Sequence, residues 1–181
     1  MATNDAWLAL VEEETLEPDL PICDPHHHLW EFRHDRVEPR YLMDEFQDDL
    51  RSGHNIVSTV FIECRAMYRQ DGPEALSFIG EIEFVNGIAA MSASGLYGDA
   101  RVAQGIIGTC DLKIGDAAAD VLDKQIDAGG GRFKGIRLGM AWDNNKEVAN
   151  HRTNPPGDMV LRNDFRAGFK HLAPRNLSYE A

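Results

Sequence analysis

The stretch ICDPHHHLW, residues 22–30, decides how this sequence is interpreted. A short apolar segment over residues 20–24 predicts a buried strand that ends at Pro25, and three consecutive histidines then follow. A doubly wound nucleotide-binding sheet would carry Gly-x-Gly-x-x-Gly after its first strand. The side chains found here instead are those that bind metal ions or transfer protons.

Outward from this stretch, strand-like and helix-like segments alternate along the chain. Residues 56–62 (IVSTVFI) are β-branched and almost continuously apolar, which is typical of a strand buried on both faces. Further strands are predicted over 102–109, 133–138 and from 177 onward, and helices over 5–13, 42–53, 73–95, 116–128 and 163–172. This alternation predicts an α/β fold with a parallel sheet, either doubly wound or a (β/α)8 barrel.

The histidines lie where parallel α/β proteins place their functional groups, at the carboxyl end of a strand. Because side chains alternate in extended backbone, we expect His26 and His28 on one side and His27 on the other. Two imidazoles on one side are able to hold a divalent ion at roughly 2.0–2.1 Å each. Asp24 shares their side and is expected to hydrogen-bond an imidazole or to lie close to the metal. A histidine-rich surface loop is the alternative.

Composition excludes several classes of partner. The 181 residues include 18 basic and 30 acidic side chains, a formal net charge of −12. Such a balance argues against binding nucleic acid or an anionic membrane surface. The first apolar run stops against three glutamates, unlike a secretory signal. Three cysteines (Cys23, Cys64 and Cys110) without CxxC spacing indicate a reduced, cytoplasmic protein in which they are small buried side chains.

Residues 22–30 resemble the first-strand signature of the amidohydrolase superfamily. More narrowly, the chain resembles the amidohydrolase-related group of lactone hydrolases and decarboxylases, in the stretches RYLMDE (40–45), STVFIEC (58–64), GEIEFVNGIAA (80–90), RFKGIR (132–137) and AWD (141–143). This resemblance implies about four to five βα units from the N-terminal part of a (β/α)8 TIM barrel.

The resemblance also implies a chemistry. His26 and His28 would be ligands of a divalent metal, typically zinc, that activates water. The substrate would be a small molecule, a lactone or similar cyclic ester of a small carboxylic or sugar acid. Some lactonases of this group are thought to work without a metal, and the imidazoles would then orient the substrate. A decarboxylase of the same superfamily is the alternative reaction.

Three further side chains are candidates for contact with the substrate. Glu63 ends the second predicted strand and is expected to be a third ligand, a substrate contact or an exposed carboxylate. Arg137 ends the fourth, and its planar fork suits a substrate carboxylate or lactone carbonyl, or else an ordinary ion pair. Trp30 is expected to wall the pocket or simply to pack. The group often has a histidine after this arginine, where Leu138 stands here.

The resemblance implies residues that no position of this sequence matches. A complete barrel needs about 250 residues, with a histidine from its middle and a general-base aspartate near its end. We therefore expect a single domain over 1–181, truncated at its C-terminal side, with the catalytic aspartate beyond Ala181. An open half barrel exposes strand edges and apolar surface, which predicts weak stability or homo-oligomerisation. An inactive remnant of a hydrolase is the non-enzymatic alternative.

Overall fold

A computed structural model describes residues 7, 9–11, 13–33, 38–149 and 153–181 as an α/β fold with one parallel sheet. The strands are β1 (Ile22–His27), β2 (Ile56–Ile62), β3 (Arg101–Gly108), β4 (Phe133–Arg137) and β5 (Ser178–Glu180). The helices of the described part are α1 (Met43–Leu50), α2 (Ile79–Ala93), α3 (Ala118–Ala128) and α4 (Asn163–Phe169), with 3-10 turns at Glu74–Leu76, Leu112–Ala117, Met159–Leu161 and Ala173–Arg175. The helix predicted over 5–13 lies largely outside the described residues.

The strands follow one another in the sheet in the order β1-β2-β3-β4-β5, and every neighbouring pair is parallel. Crossovers between parallel strands are almost always right-handed, so an unbroken order places the connecting helices on one face. A doubly wound sheet instead reverses its order at a switch point. The doubly wound alternative is therefore wrong for this chain.

The sheet is curled, so that its outer strands approach each other at their carboxyl ends. Neighbouring strands lie about 4.8 Å apart, and four such spacings would separate β1 from β5 by roughly 19 Å in a flat sheet. The Nδ1 atom of His26 on β1 nevertheless lies 3.9 Å from the Oε1 atom of Glu180 on β5. Two side chains reaching toward each other span only part of such a gap, so the backbone itself must curve.

Strand β1 continues two residues past Pro25, where the sequence predicts it to end. In the described part of the chain β1 pairs with β2 alone, so the missing N–H of Pro25 leaves no strand pairing unmade there. The pairing of β1 with β2 is irregular between Asp24 and His27, which is how the strand accommodates the ring. The histidines therefore lie at the end of the strand itself.

The core lies between the sheet and its helices. It is built from apolar side chains of both layers, among them Phe61, Ile82, Ile106, Leu122 and Ile136. The prediction of buried cysteines is confirmed for Cys64 and Cys110 and wrong for Cys23, which is exposed on the edge strand. Within the described part of the chain, every helix falls short of the length and apolar character needed to cross a membrane.

Candidate metal and substrate site

The three histidines at the end of β1, the last of them directly after the strand, point to alternate sides of the backbone as the alternation predicts. The Nε2 atoms of His26 and His28 lie 3.3 Å apart, with their rings edge to face. His27 points the other way, is 6% exposed, and stacks on Phe46 with ring centres 4.5 Å apart. Two imidazoles thus share one location, while the third belongs to the core.

A backbone carbonyl fixes the tautomer of His28. Its Nδ1 atom lies 2.7 Å from the carbonyl oxygen of Ile62, at the end of β2. Because a carbonyl only accepts, Nδ1 must donate, and Nε2 keeps its lone pair. Burial lowers the pKa of His28, and the positive charge of Arg137 acts in the same direction. These two effects outweigh the opposing hydrogen bond to the Ile62 carbonyl and favour the neutral ring, which is the form that binds metals.

His26 presents a second lone pair beside the first. The Nη1 group of Arg137 lies 3.4 Å from its Nε2 atom, and since a guanidinium only donates, this nitrogen accepts. On the other side of the ring, Nδ1 faces the carboxylate of Glu180. The carboxylate of Asp24 accepts a 3.1 Å hydrogen bond from the backbone N–H of His26, so it fixes the backbone and not the ring.

The spacing of the two nitrogens fits a shared cation. Two bonds of about 2.0–2.1 Å at the tetrahedral angle separate their nitrogens by about 3.3–3.4 Å. Two lone pairs at 3.3 Å repel each other unless a proton or a metal ion lies between them. Among the described residues, no group of three or more His, Cys, Asp or Glu side chains is arranged to hold a metal. His26 and His28 therefore fit two of the ligand positions of a metal site.

Arg137 and Glu63, both substrate-binding candidates, bind each other. The Nε atom of Arg137 donates a 3.0 Å hydrogen bond to Oε1 of Glu63, and its Nη2 group contacts the carboxylate and the backbone carbonyl of the same residue. Glu63 is 4% exposed, so it is not the exposed carboxylate that was one of its alternatives. Most donors of Arg137 are thereby engaged within the protein, and Nη1 remains beside the imidazoles.

A second buried carboxylate, which the sequence did not single out, holds the loop after β2. Glu81 on α2 is 1% exposed and accepts hydrogen bonds from the backbone N–H groups of Cys64 (3.0 Å) and Ala66 (2.8 Å). Burial raises the pKa of Glu81 to about 7, against the opposing effect of those hydrogen bonds. Glu81 therefore anchors the segment that presents Glu63.

A cleft of about 590 Å³ opens at the carboxyl ends of β2, β3 and β4, and Glu63 and Arg137 line it, whereas His26 and His28 do not. Its wall combines cations, acids, hydroxyls and apolar side chains, among them Arg65, Lys113, Arg137, Glu63, Asp111, Tyr68, Thr109, Phe78 and Leu138. Trp30 lies elsewhere: its Nε1 group donates to the carbonyl of Glu38 and its ring stacks on Tyr41. The cleft has the size and mixed lining of a small-molecule site.

The sequence pattern did not identify two residues that shape the site, Glu81 and Glu180. Glu180 ends the fifth strand, and that position was a usable signal, because strand-end carboxylates meet at one rim. Glu81 is an acid inside the largely apolar run of α2, and a charge in such a run indicates a buried partner. The curl that brings Glu180 to His26 has no local signature.

Comparison with known proteins yields one distant relationship. No family model and no solved structure matches the chain. A similar curated protein is the uncharacterized protein y4mH of Sinorhizobium fredii (strain NBRC 101917 / NGR234), 27% identical over 180 residues. The match covers 90% of this chain and 53% of the relative, so the chain spans about half the length of the curated protein it matches.

Proposed function

We propose that this chain forms part of a metal-dependent hydrolase of the amidohydrolase type, with its five strands in the wall of a (β/α)8 barrel. The observation that carries the proposal is the 3.3 Å approach of the Nε2 atoms of His26 and His28, each presenting a lone pair at the end of β1. The unbroken strand order and the curl of the sheet support the barrel. The adjoining cleft supports a small-molecule substrate.

The residues of the site have distinct roles in this proposal. His26 and His28 would hold the ion, while the Ile62 carbonyl and the Glu180 carboxylate orient their rings from behind. A divalent metal bound there, with zinc favoured by imidazole ligands, would supply Lewis-acid polarisation of a carbonyl and activation of water.

The cleft would position a lactone or similar cyclic ester against the histidines. Phe78 and Leu138 provide apolar surface for a ring, and Tyr68 provides a hydroxyl. The Nη1 group of Arg137 faces the imidazoles and is the part of the guanidinium that Glu63 does not engage. It would donate to the carbonyl or carboxylate oxygen of a substrate held there.

Zinc binding tests the site directly. We expect isothermal titration of the metal-free chain to show one zinc site, and His26→Ala or His28→Ala to weaken it by at least about tenfold. The matched control is His54→Ala, an exposed histidine that precedes β2, which should bind zinc as the unaltered chain does. Equal zinc affinity in all four proteins would overturn the assignment.

Product analysis separates the two candidate reactions. The zinc-loaded chain is incubated with simple lactones, monitored by proton release, and with aromatic acids, monitored by carbon dioxide release. Ring opening supports the hydrolase, and carbon dioxide release overturns it in favour of the decarboxylase. If the chain binds zinc at the two histidines but forms neither product, these residues retain the metal site without the activity.

A further inference from the structure

The cleft at the carboxyl ends of β2, β3 and β4 carries more positive than negative charge. Its wall contains three cations (Arg65, Lys113 and Arg137) and two acids (Glu63 and Asp111). The wall therefore has a net positive charge, although the formal net charge of the chain is −12. A concave wall of one sign focuses its field into the cleft and attracts ligands of the opposite charge, which here are anions.

Each acid of this wall already has a cation as its partner. The carboxylate of Glu63 binds the guanidinium of Arg137. The Oδ1 atom of Asp111 lies 3.1 Å from Nζ of Lys113 and accepts a 3.0 Å hydrogen bond from the backbone N–H of the same lysine. The side chain of Arg65 is exposed and forms no ion pair or hydrogen bond with any described residue. Arg65 is therefore the cation of this wall whose charge and donors remain for a ligand.

The loop after β2 fixes the backbone around Arg65. The neighbours Cys64 and Ala66 are buried, and Glu81 accepts hydrogen bonds from both of their backbone N–H groups. The carbonyl oxygen of Cys64 accepts a further hydrogen bond from Arg33. Arg65 itself has a φ of 65°, in the left-handed region that few residues other than glycine adopt. Backbone that its surroundings hold in such a conformation is concentrated at functional sites.

A carboxylate is the anion that this arrangement fits best. A guanidinium offers parallel N–H donors that match the two oxygens of a carboxylate. One unpaired cation balances the single charge of a carboxylate, whereas a phosphate monoester carries a charge of about −1.5 to −2 at pH 7. Phe78 and Leu138 line the same cleft and provide apolar surface for the body of the ligand.

We propose that Arg65 selects substrates that carry a carboxylate apart from the ester group that is hydrolysed. The carboxylate binds the guanidinium of Arg65, and the ester extends toward the Nη1 group of Arg137, which faces the imidazoles. This role of Arg65 rests on the proposed function and narrows its substrate class to lactones that bear a free carboxylate.

Two lactone probes test this role in the metal-free chain. Paraconate is a five-membered lactone with one carboxylate, and its methyl ester lacks the charge. In isothermal titration the unaltered chain should bind paraconate at least about tenfold more tightly than the methyl ester. Arg65→Gln should lose this preference and bind the methyl ester as before, whereas Arg65→Lys keeps the charge without the planar fork and should keep part of the preference. The matched control is Arg51→Gln, which changes an exposed arginine after α1 and should keep the full preference.

The same titrations define the results that would overturn the role of Arg65. These are equal affinity for the two probes in the unaltered chain, no binding of either probe, or a preference that survives in Arg65→Gln. If circular dichroism shows that Arg65→Gln is unfolded, Arg65→Asn replaces it, because asparagine suits left-handed backbone. Inorganic phosphate that displaces paraconate at a lower concentration than acetate does would overturn the carboxylate in favour of a phosphate ligand.

The absence of zinc from these titrations separates this role from the proposed function. A chain that prefers paraconate but binds no zinc at His26 and His28 would contradict the metal site alone. A chain that binds zinc there and does not distinguish paraconate from its methyl ester would contradict the role of Arg65 alone.

Discussion

The three consecutive histidines at the end of β1 show how one residue type takes different roles at successive positions of extended backbone. His26 and His28 face the rim of the sheet, whereas His27 packs between Phe46 and Phe61, with ring centres at 4.5 and 5.8 Å. Neither ring nitrogen of His27 makes a well-formed hydrogen bond in the described part of the chain. Burial lowers its pKa to about 4, although Asp24 and the Val60 backbone act in the opposite direction.

This buried imidazole predicts an acid-sensitive stability. The unfolded chain takes up a proton on His27 near pH 6.5, whereas the folded chain does so only near pH 4. The free energy of unfolding should therefore fall as the pH drops from 6.5 to 4, by about 3 kcal/mol from this group. His27→Phe keeps an aromatic ring against Phe46 and should remove that part of the pH dependence, as measured by urea unfolding at several pH values.

The exposed His54 provides the control for this experiment. His54→Phe makes the same change of residue type at an exposed position outside the core, and the pH dependence of unfolding is measured for both variants. An identical slope between pH 4 and 6.5 in the unaltered chain and in His27→Phe would show that His27 is protonated in the folded state as readily as in the unfolded one.

At the scale of elements, helix α2 supports the rim by packing against the loop after β2. Gly80 makes this approach possible, because a Cβ atom there would lie 2.5 Å from the carbonyl oxygen of Met67 and 2.7 Å from the backbone nitrogen of Arg69. The next residue, Glu81, then accepts the two backbone hydrogen bonds of the same loop. The position of Glu63 thus depends on a helix that does not itself reach the cleft.

Two glycines of α2 allow a matched test of this contact. Gly80→Ala should destabilise the fold by about 1–3 kcal/mol, since the methyl group meets backbone that cannot move freely. Gly87→Ala meets nothing within 4 Å and should stabilise the fold by up to about 1 kcal/mol, the ordinary helix preference for alanine. Thermal or urea unfolding measures both, and equal effects at the two positions would contradict the close contact.

Much of the element order was predictable from the sequence, because buried parallel strands and amphipathic helices leave strong local patterns. The strand over 56–62 lies where its β-branched run predicts it. The extension of β1 beyond Pro25 was not predictable, since it depends on the irregular pairing of β1 with β2 between Asp24 and His27. The Glu63–Arg137 pair joins positions 74 residues apart, and such contacts depend on sheet order and curvature.

At the scale of the whole molecule, the curl gathers strand ends around one guanidinium. Arg137 of β4 contacts Glu63 after β2, His26 of β1 and Glu180 of β5. Four of the five strands therefore meet at a single cation, and β3 contributes through Thr109, whose hydroxyl donates to the Arg137 carbonyl. The candidate site is consequently a property of the curved sheet and not of any one strand.

The approach of β5 to β1 predicts an effect of Glu180 on metal affinity. A carboxylate behind a ligating imidazole orients the ring toward the metal, so Glu180→Gln should weaken zinc binding by about tenfold in isothermal titration. Glu147→Gln, which changes an exposed carboxylate elsewhere, provides the control and should leave zinc affinity unchanged. Unaltered affinity in Glu180→Gln would show that the carboxylate does not act on His26.

Arg137 contacts several strand ends and also faces the proposed substrate site, so its structural contacts would compete with substrate binding. The N–H groups that would bind an anionic substrate are the same groups that contact Glu63 and Glu180 at the ends of β2 and β5. An anion bound to the guanidinium would weaken the contacts of Arg137 with the strand ends. Strong contacts with the strand ends would in turn weaken the binding of the anion. Substitutions at Arg137 should therefore alter shape and affinity together, and selection on either property constrains the other.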